Sequence, residues 1–138
     1  VFDRFPTLAR IPRAALTTLP TPVEPMGGDR FPRGLWIKRD DLSAAMVGGN
    51  KVRALEFLLG RVRPGDTVLT VGGEGSTHVL ATAVHASRLG AHTIAFRWRH
   101  QMNPEAEAAA QEAAGACARV TTTRTVAGAM MRALGLFG

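Results

Sequence analysis

Thr67-Val68-Leu69-Thr70-Val71-Gly72-Gly73-Glu74-Gly75-Ser76-Thr77-His78 decides the fold class. Residues Thr67 to Val71 are β-branched or apolar without interruption. Such a run suits a strand buried on both faces of a parallel sheet, because a strand with one wet face alternates. The glycines let the backbone turn sharply. From Ser76 or Thr77 a helical pattern runs to Leu89, and Gly90 stands where a helix ends.

The same unit repeats downstream. Thr93-Ile94-Ala95-Phe96 is the next strand. Asn103-Pro104 starts a helix, with Asn as N-cap, proline at the first position and Glu105 and Glu107 facing the positive end of the dipole. Alanines carry it to Ala114, and Gly115 is expected to stop it. Ala118-Arg119-Val120-Thr121 forms a third strand, and Thr125 to Leu134 a last helix. This alternation with short links predicts the α/β class: a parallel sheet with flanking helices and right-handed crossovers.

Upstream, Arg63-Pro64-Gly65-Asp66 breaks the chain. Val52, Leu55, Leu58 and Leu59 mark one face of a helix at about 51 to 61. Leu35-Trp36-Ile37-Lys38-Arg39-Asp40 reads as a strand, and Asp40-Asp41-Leu42 turns the chain. Two acids beside Arg39 suit a capped turn or an ion pair better than an acid–base pair. Residues 1–34 hold six of the eight prolines, which predicts an extended arm wrapping the body, with Thr17 to Val23 free to line a groove. The expected organisation is one unit over 1–138: arm and first strand over 1–50, a three-layer α/β domain over 51–138. Gly135-Leu136-Phe137-Gly138 is still apolar and brings no closing strand, so the unit is expected to be incomplete.

Composition narrows the function classes. The chain is 46% hydrophobic and 20% charged over 138 residues, a globular composition of one-domain size. No apolar run approaches the roughly 18 residues of a membrane span, and no signal-peptide pattern opens the sequence. The single cysteine, Cys117, excludes an intramolecular disulfide and fits a cytoplasmic setting; among small neighbours it reads as a buried thiol. The net charge is +6, yet the arginines are scattered and only Arg97-Trp98-Arg99-His100 clusters. No nucleic-acid motif accompanies the charge, so nucleic acid is not an expected partner, whereas anionic small molecules are.

Two stretches carry chemistry. In Gly48-Gly49-Asn50-Lys51-Val52-Arg53, Lys51 sits at the mouth of a helix behind a bare glycine turn. The chain has two lysines, Lys38 and Lys51, against fifteen arginines. A lysine amine forms Schiff bases once its pKa is lowered, and arginine cannot. The plain alternative is a solvated surface lysine. In open parallel sheets, ligands lie beyond the carboxyl ends of strands, where Gly72 to His78 falls. The helix start there offers free N–H groups to an anion, and Ser76 and Thr77 add hydroxyls. Ser76 serves equally as a simple N-cap. His78 suits orienting or packing better than catalysis, and with His85 and His92 showing no ligand spacing, no metal site is expected. Gly73-Glu74-Gly75 is also half of a dinucleotide fingerprint, with Arg97 and Arg99 after the second strand to meet a 2′-phosphate. An NADP-type nucleotide-binding module is therefore an alternative, although His78 replaces the third glycine.

Arg13 to Val23, Leu35 to Leu42, Gly48 to Arg53 with Leu55-Glu56-Phe57, and Gly72-Gly73 through Ser76-x-His78 occur in one order. Together, over about residues 10 to 100, they resemble the D-cysteine desulfhydrase and 1-aminocyclopropane-1-carboxylate (ACC) deaminase family. The resemblance implies a partial tryptophan-synthase-β-like fold and pyridoxal 5′-phosphate (PLP) as cofactor. It implies a lyase or deaminase acting on a small amino acid, giving a 2-oxo acid and ammonia. Lys51 would carry PLP, Asn50 would shape the turn, and Thr77 would lie at the cofactor. Ser76 would meet the substrate, and Ser76-Thr77-His78 would take its carboxylate. Thr77 stands where the family pattern has Asn, and Gly75 where it has Gln. The family's phosphate cradle and ring-covering aromatic lie in a later part, so the resemblance covers an amino-terminal portion. It implies a homo-oligomer or a complementing chain, the alternative being a non-catalytic fragment completed by a partner.

Overall fold

In a computed structural model, residues 3–28 and 31–135 are described; Leu136 to Gly138, part of the expected unfinished ending, lie outside them. The centre is a three-stranded parallel sheet in the order β3 (Thr67–Gly73), β4 (His92–Trp98), β5 (Arg119–Thr123). Successive residues of a strand point to opposite faces. Ala95 thus meets Val79, Leu80 and Val84 of α2 (Thr77–Arg88) and Ala113 of α3 (Pro104–Ala116). Phe96, with Ile94 beside it, faces the other way, onto Ala129 and Ala133 of α4 (Val126–Leu134). Helices therefore cover both faces of a parallel sheet, as the alternation predicted.

Several elements differ in extent. β3 was expected to be buried on both faces, but it lies at the sheet edge, where only Thr70 and Gly72 are buried. β4, the middle strand, is the one sheltered on both sides. Helix α3 runs through Gly115 and ends at Cys117, since Gly115 does not take a positive φ there. In α1 (Asn50–Leu58), Val52 and Leu55 are buried with Leu59 just beyond, but Leu58 is 68% exposed. Position 58 falls off the 52–55–59 stripe at helical spacing, and Glu56 falls on it. The predicted strand at 35–40 shrinks to β2 (Trp36–Lys38), which pairs antiparallel with β1 (Val23–Pro25) out of the proline-rich arm.

Glu56 explains how the arm attaches. It is 2% exposed. Its Oε1 accepts from Leu16 N (3.3 Å), Thr17 N (3.1 Å) and Thr17 Oγ1 (2.6 Å). Arg13 lies 3.9 Å from Oε2. Leu16 is then pinned into the core formed by Val52, Leu55 and Leu59 of the α1 segment and Ala81 and Ala86 of α2. No helix among the described residues is long and apolar enough to cross a membrane.

Candidate active site

A cleft of about 490 Å³ opens where the carboxyl end of β3 meets the first turns of α1 and α2. Lys51 lines it from α1. Gly73, Gly75, Ser76, Thr77 and His78 line it from the β3–α2 turn. Trp98 and His100 close the side beyond β4. Asn50, the first residue of α1, is exposed and does not line the cleft.

The two lysines have different fates. Lys38 Nζ donates to Thr21 O (3.0 Å) and to Thr21 Oγ1, and stands 4.0 Å from Asp40. Lys51 is exposed to the cleft, and no described residue hydrogen-bonds or ion-pairs with it. Its loop is fixed from below. Gly49 N donates to Ser43 Oγ (2.9 Å) and to Asp40 O (2.8 Å), and Ser43 is wholly buried. Gly49 takes φ +106°. At Gly48 a β-carbon would stand 2.3 Å from the Asp41 carbonyl oxygen, so only glycine fits.

The acids expected to be structural are so. Asp40 accepts from Arg53 Nη2 at 2.7 Å and Nε at 3.2 Å. The Arg53 bond, with Coulomb attraction and Thr21 helping, holds the Asp40 carboxyl below its usual range. Asp41 pairs with Arg39 (2.7 Å), which lowers its pKa in the same way.

At the mouth of α2, Ser76 occupies the N-cap position, but its side chain makes no capping bond. Capping therefore does not use up its hydroxyl. Ser76 N donates to Gly73 O (3.0 Å) and Leu80 N to Ser76 O (3.1 Å), while Thr77 and His78 come at the unpaired start of the helix.

Trp98 and His100 belong to the cleft although their cluster was read only as a basic and aromatic patch. The signal lay in the strand pairing: Gly73 is the parallel partner of Trp98, which carries the end of β4 to the glycine turn. His100 Nδ1 lies 2.7 Å from Gln101 O. A carbonyl only accepts, so Nδ1 carries a proton and Nε2 is the nitrogen left facing the glycine turn. That Nε2 would stand 2.7 Å from a β-carbon at position 73.

Other candidates are spent elsewhere. Arg97 lies inside β4, not after it, and is 8% exposed. It donates to Ala110 O (3.1 Å) and faces Glu74 at 3.6 Å, which removes it from the role of 2′-phosphate ligand. Cys117 is half-buried, and burial pushes its thiol pKa up, so it rests as a thiol. Among the described residues no three metal-ligating side chains come together.

No protein-family model matches the chain. It is 46% identical over 91 residues to nocardicin C-9′ epimerase of Nocardia uniformis subsp. tsuyamanensis. It is likewise 46% identical over 93 residues to D-cysteine desulfhydrase of Salmonella newport. Each match covers 64% of this chain and 28% of the relative, so the chain spans under a third of their length. A solved structure of an ACC deaminase homologue matches with TM-score 0.72 at 29% identity, covering 96% of this chain and 42% of that one. The likeness to the desulfhydrase and deaminase group, first drawn from ordered motifs, is thus borne out in sequence and in fold.

Proposed function

We propose that this cleft holds pyridoxal 5′-phosphate through Lys51. The reaction it serves is a lyase or deaminase reaction on a small amino acid, of D-cysteine desulfhydrase or ACC deaminase type, giving a 2-oxo acid and ammonia. The observation that carries the proposal is one unpaired lysine amine sharing a cleft with a helix mouth, while the other lysine is tied down. The cleft volume of about 490 Å³ lies in the range usual for cofactor sites. When bound, the cofactor supplies an electron sink for negative charge at the substrate α-carbon.

The chain's own residues supply the rest. Lys51 Nζ attaches the cofactor and takes or returns the α-proton. The N–H groups at Thr77 and His78, with the positive end of the α2 dipole, hold the substrate carboxylate. The Ser76 hydroxyl, free of capping, meets the substrate. Thr77 adds a hydroxyl on the cofactor side, Asn50 shapes the turn before Lys51, and Trp98 helps exclude water.

Incubation with PLP, borohydride reduction and peptide mass spectrometry test this. Label is expected on Lys51 and is expected to vanish in Lys51→Arg. Label on Lys38, or none at all, ends the proposal. Equal likeness to an epimerase favours a second reading, which deuterium uptake decides: exchange at the α-carbon without ammonia release moves the assignment to epimerisation.

A further inference from the structure

We infer that His85 is a positioning residue for Lys51, acting through the carbonyl of Val47. The inference rests on the reading of Lys51 as the cofactor lysine. His85 lies in the middle of α2, is 0% exposed, and is among the largest fully buried side chains. Its Nε2 meets Val47 O at 3.3 Å. A carbonyl only accepts, so Nε2 carries the proton, and the buried Nδ1 has no partner. That assignment is self-consistent only for the neutral ring, because an imidazolium would bury a second, unpaired N–H. Burial, aided by Arg88, keeps the ring neutral by lowering its pKa.

Val47 itself is strained. Its φ is +45°, and it is the one non-glycine at positive φ among the described residues. A β-branched residue is disfavoured there by its own Cβ, so the conformation persists only if its surroundings hold it. Val47 packs against both the α1–α2 core and the α2–sheet core, and its carbonyl is gripped by His85. Four residues later the chain reaches Lys51. Between them stand Gly48, with no room for a side chain beside Asp41 O, and Gly49, pinned to Ser43 Oγ and Asp40 O. The loop is thus held by hydrogen bonds at Val47 and Gly49, and His85 supplies the hold from α2. Since the mouth of α2 forms the opposite wall of the cleft, His85 ties Lys51 to the helix it must face.

Three variants test this. His85→Leu keeps volume and removes the donor, whereas His85→Gln places an amide N–H near the Nε2 position. In His85→Leu, amide exchange at Gly49, whose N–H is bonded to Asp40 O and Ser43 Oγ, is expected to quicken roughly tenfold or more, beyond any rise at the far end of α2. Borohydride-fixed pyridoxylation of Lys51 is expected to slow by about the same factor, and His85→Gln to restore both within about threefold. If His85→Leu does not fold, His85→Asn, whose amide is too short for Val47 O, replaces it against His85→Gln. Wild-type exchange at Gly49 in the donor-less variant overturns the inference. A wild-type chain that never labels Lys51 overturns the cofactor reading instead, and the exchange measurement still decides His85.

Discussion

Replacing Glu56 by leucine should loosen the amino-terminal arm, which keeps its backbone bonds from Ala14 N to Glu56 O and from Thr18 N to Ser43 O (both 2.8 Å), and the structure fixes how much that costs. Three donors converge on Glu56 Oε1: Leu16 N, Thr17 N and Thr17 Oγ1. Leu16 N–H is shared with Ala14 O at 3.0 Å, so it keeps one acceptor and loses only the longer bond, at roughly 0.5–1 kcal/mol. Thr17 is half-buried, so water partly rescues its two donors, at roughly 0.5–1 kcal/mol each. The sum is about 2 kcal/mol for Glu56→Leu, with helix propensity unchanged. Glu56→Gln keeps an acceptor and loses only charge assistance, about 1 kcal/mol. Urea titration followed by circular dichroism measures both, and the leucine variant should melt about 7 °C lower. Because the cost runs through one network, Thr17→Val should cost about 1 kcal/mol in the parent and nearly nothing beside Glu56→Leu. Trypsin should then cut at Arg10 and Arg13 faster in Glu56→Leu. A leucine variant within about 0.5 kcal/mol of the parent would refute the idea that this carboxylate anchors the arm.

Acid should destabilise the chain through His85. Its folded pKa is below the ordinary 6.5, so below that pH the unfolded chain binds the extra proton. Stability is therefore full above about 6.5 and falls as pH drops toward the folded value, by at most ~1.4 kcal/mol per pH unit. Urea midpoints between about pH 7 and pH 5 should show the fall, and His85→Gln should flatten it. Gly48→Ala should weaken both stability and Lys51 labelling, since its β-carbon meets Asp41 O at 2.3 Å. Gly115→Ala, with nothing within 4 Å and a helical place in α3, should gain about 0.5–1 kcal/mol; melting curves decide both. The open edge of β3 and exposed Val126, Met130, Met131 and Leu134 of α4 support association with a copy or a complementing chain. Light scattering should give more than 14.7 kDa, and a stable monomer indifferent to concentration counts against it.

The sequence by itself determined the alternation of strands and helices, the glycine turns and the candidate lysine. These are local properties. The run Thr67 to Val71, the Asn103-Pro104 start and the Gly90 stop each speak through a few neighbouring residues. Asn103 indeed caps α3 by accepting from Ala106 N at 2.8 Å. Helix α1 shows where local pattern stops. Helical spacing already sets position 58 off the 52–55–59 face and 56 on it, but only the tertiary structure makes a buried carboxylate tolerable at 56, because the arm brings the donors of Leu16 and Thr17 to that face. Strand order is likewise non-local: the apolar run of β3 says nothing of which edge it takes, and the central place fell to β4. Trp98, His100 and His85 reached their roles through parallel pairing and helix packing, contacts between residues tens of positions apart. Only the folded chain decided that Lys51 stands alone in a cleft while Lys38 is bound, because whether an amine is free depends on what the rest of the chain brings near it.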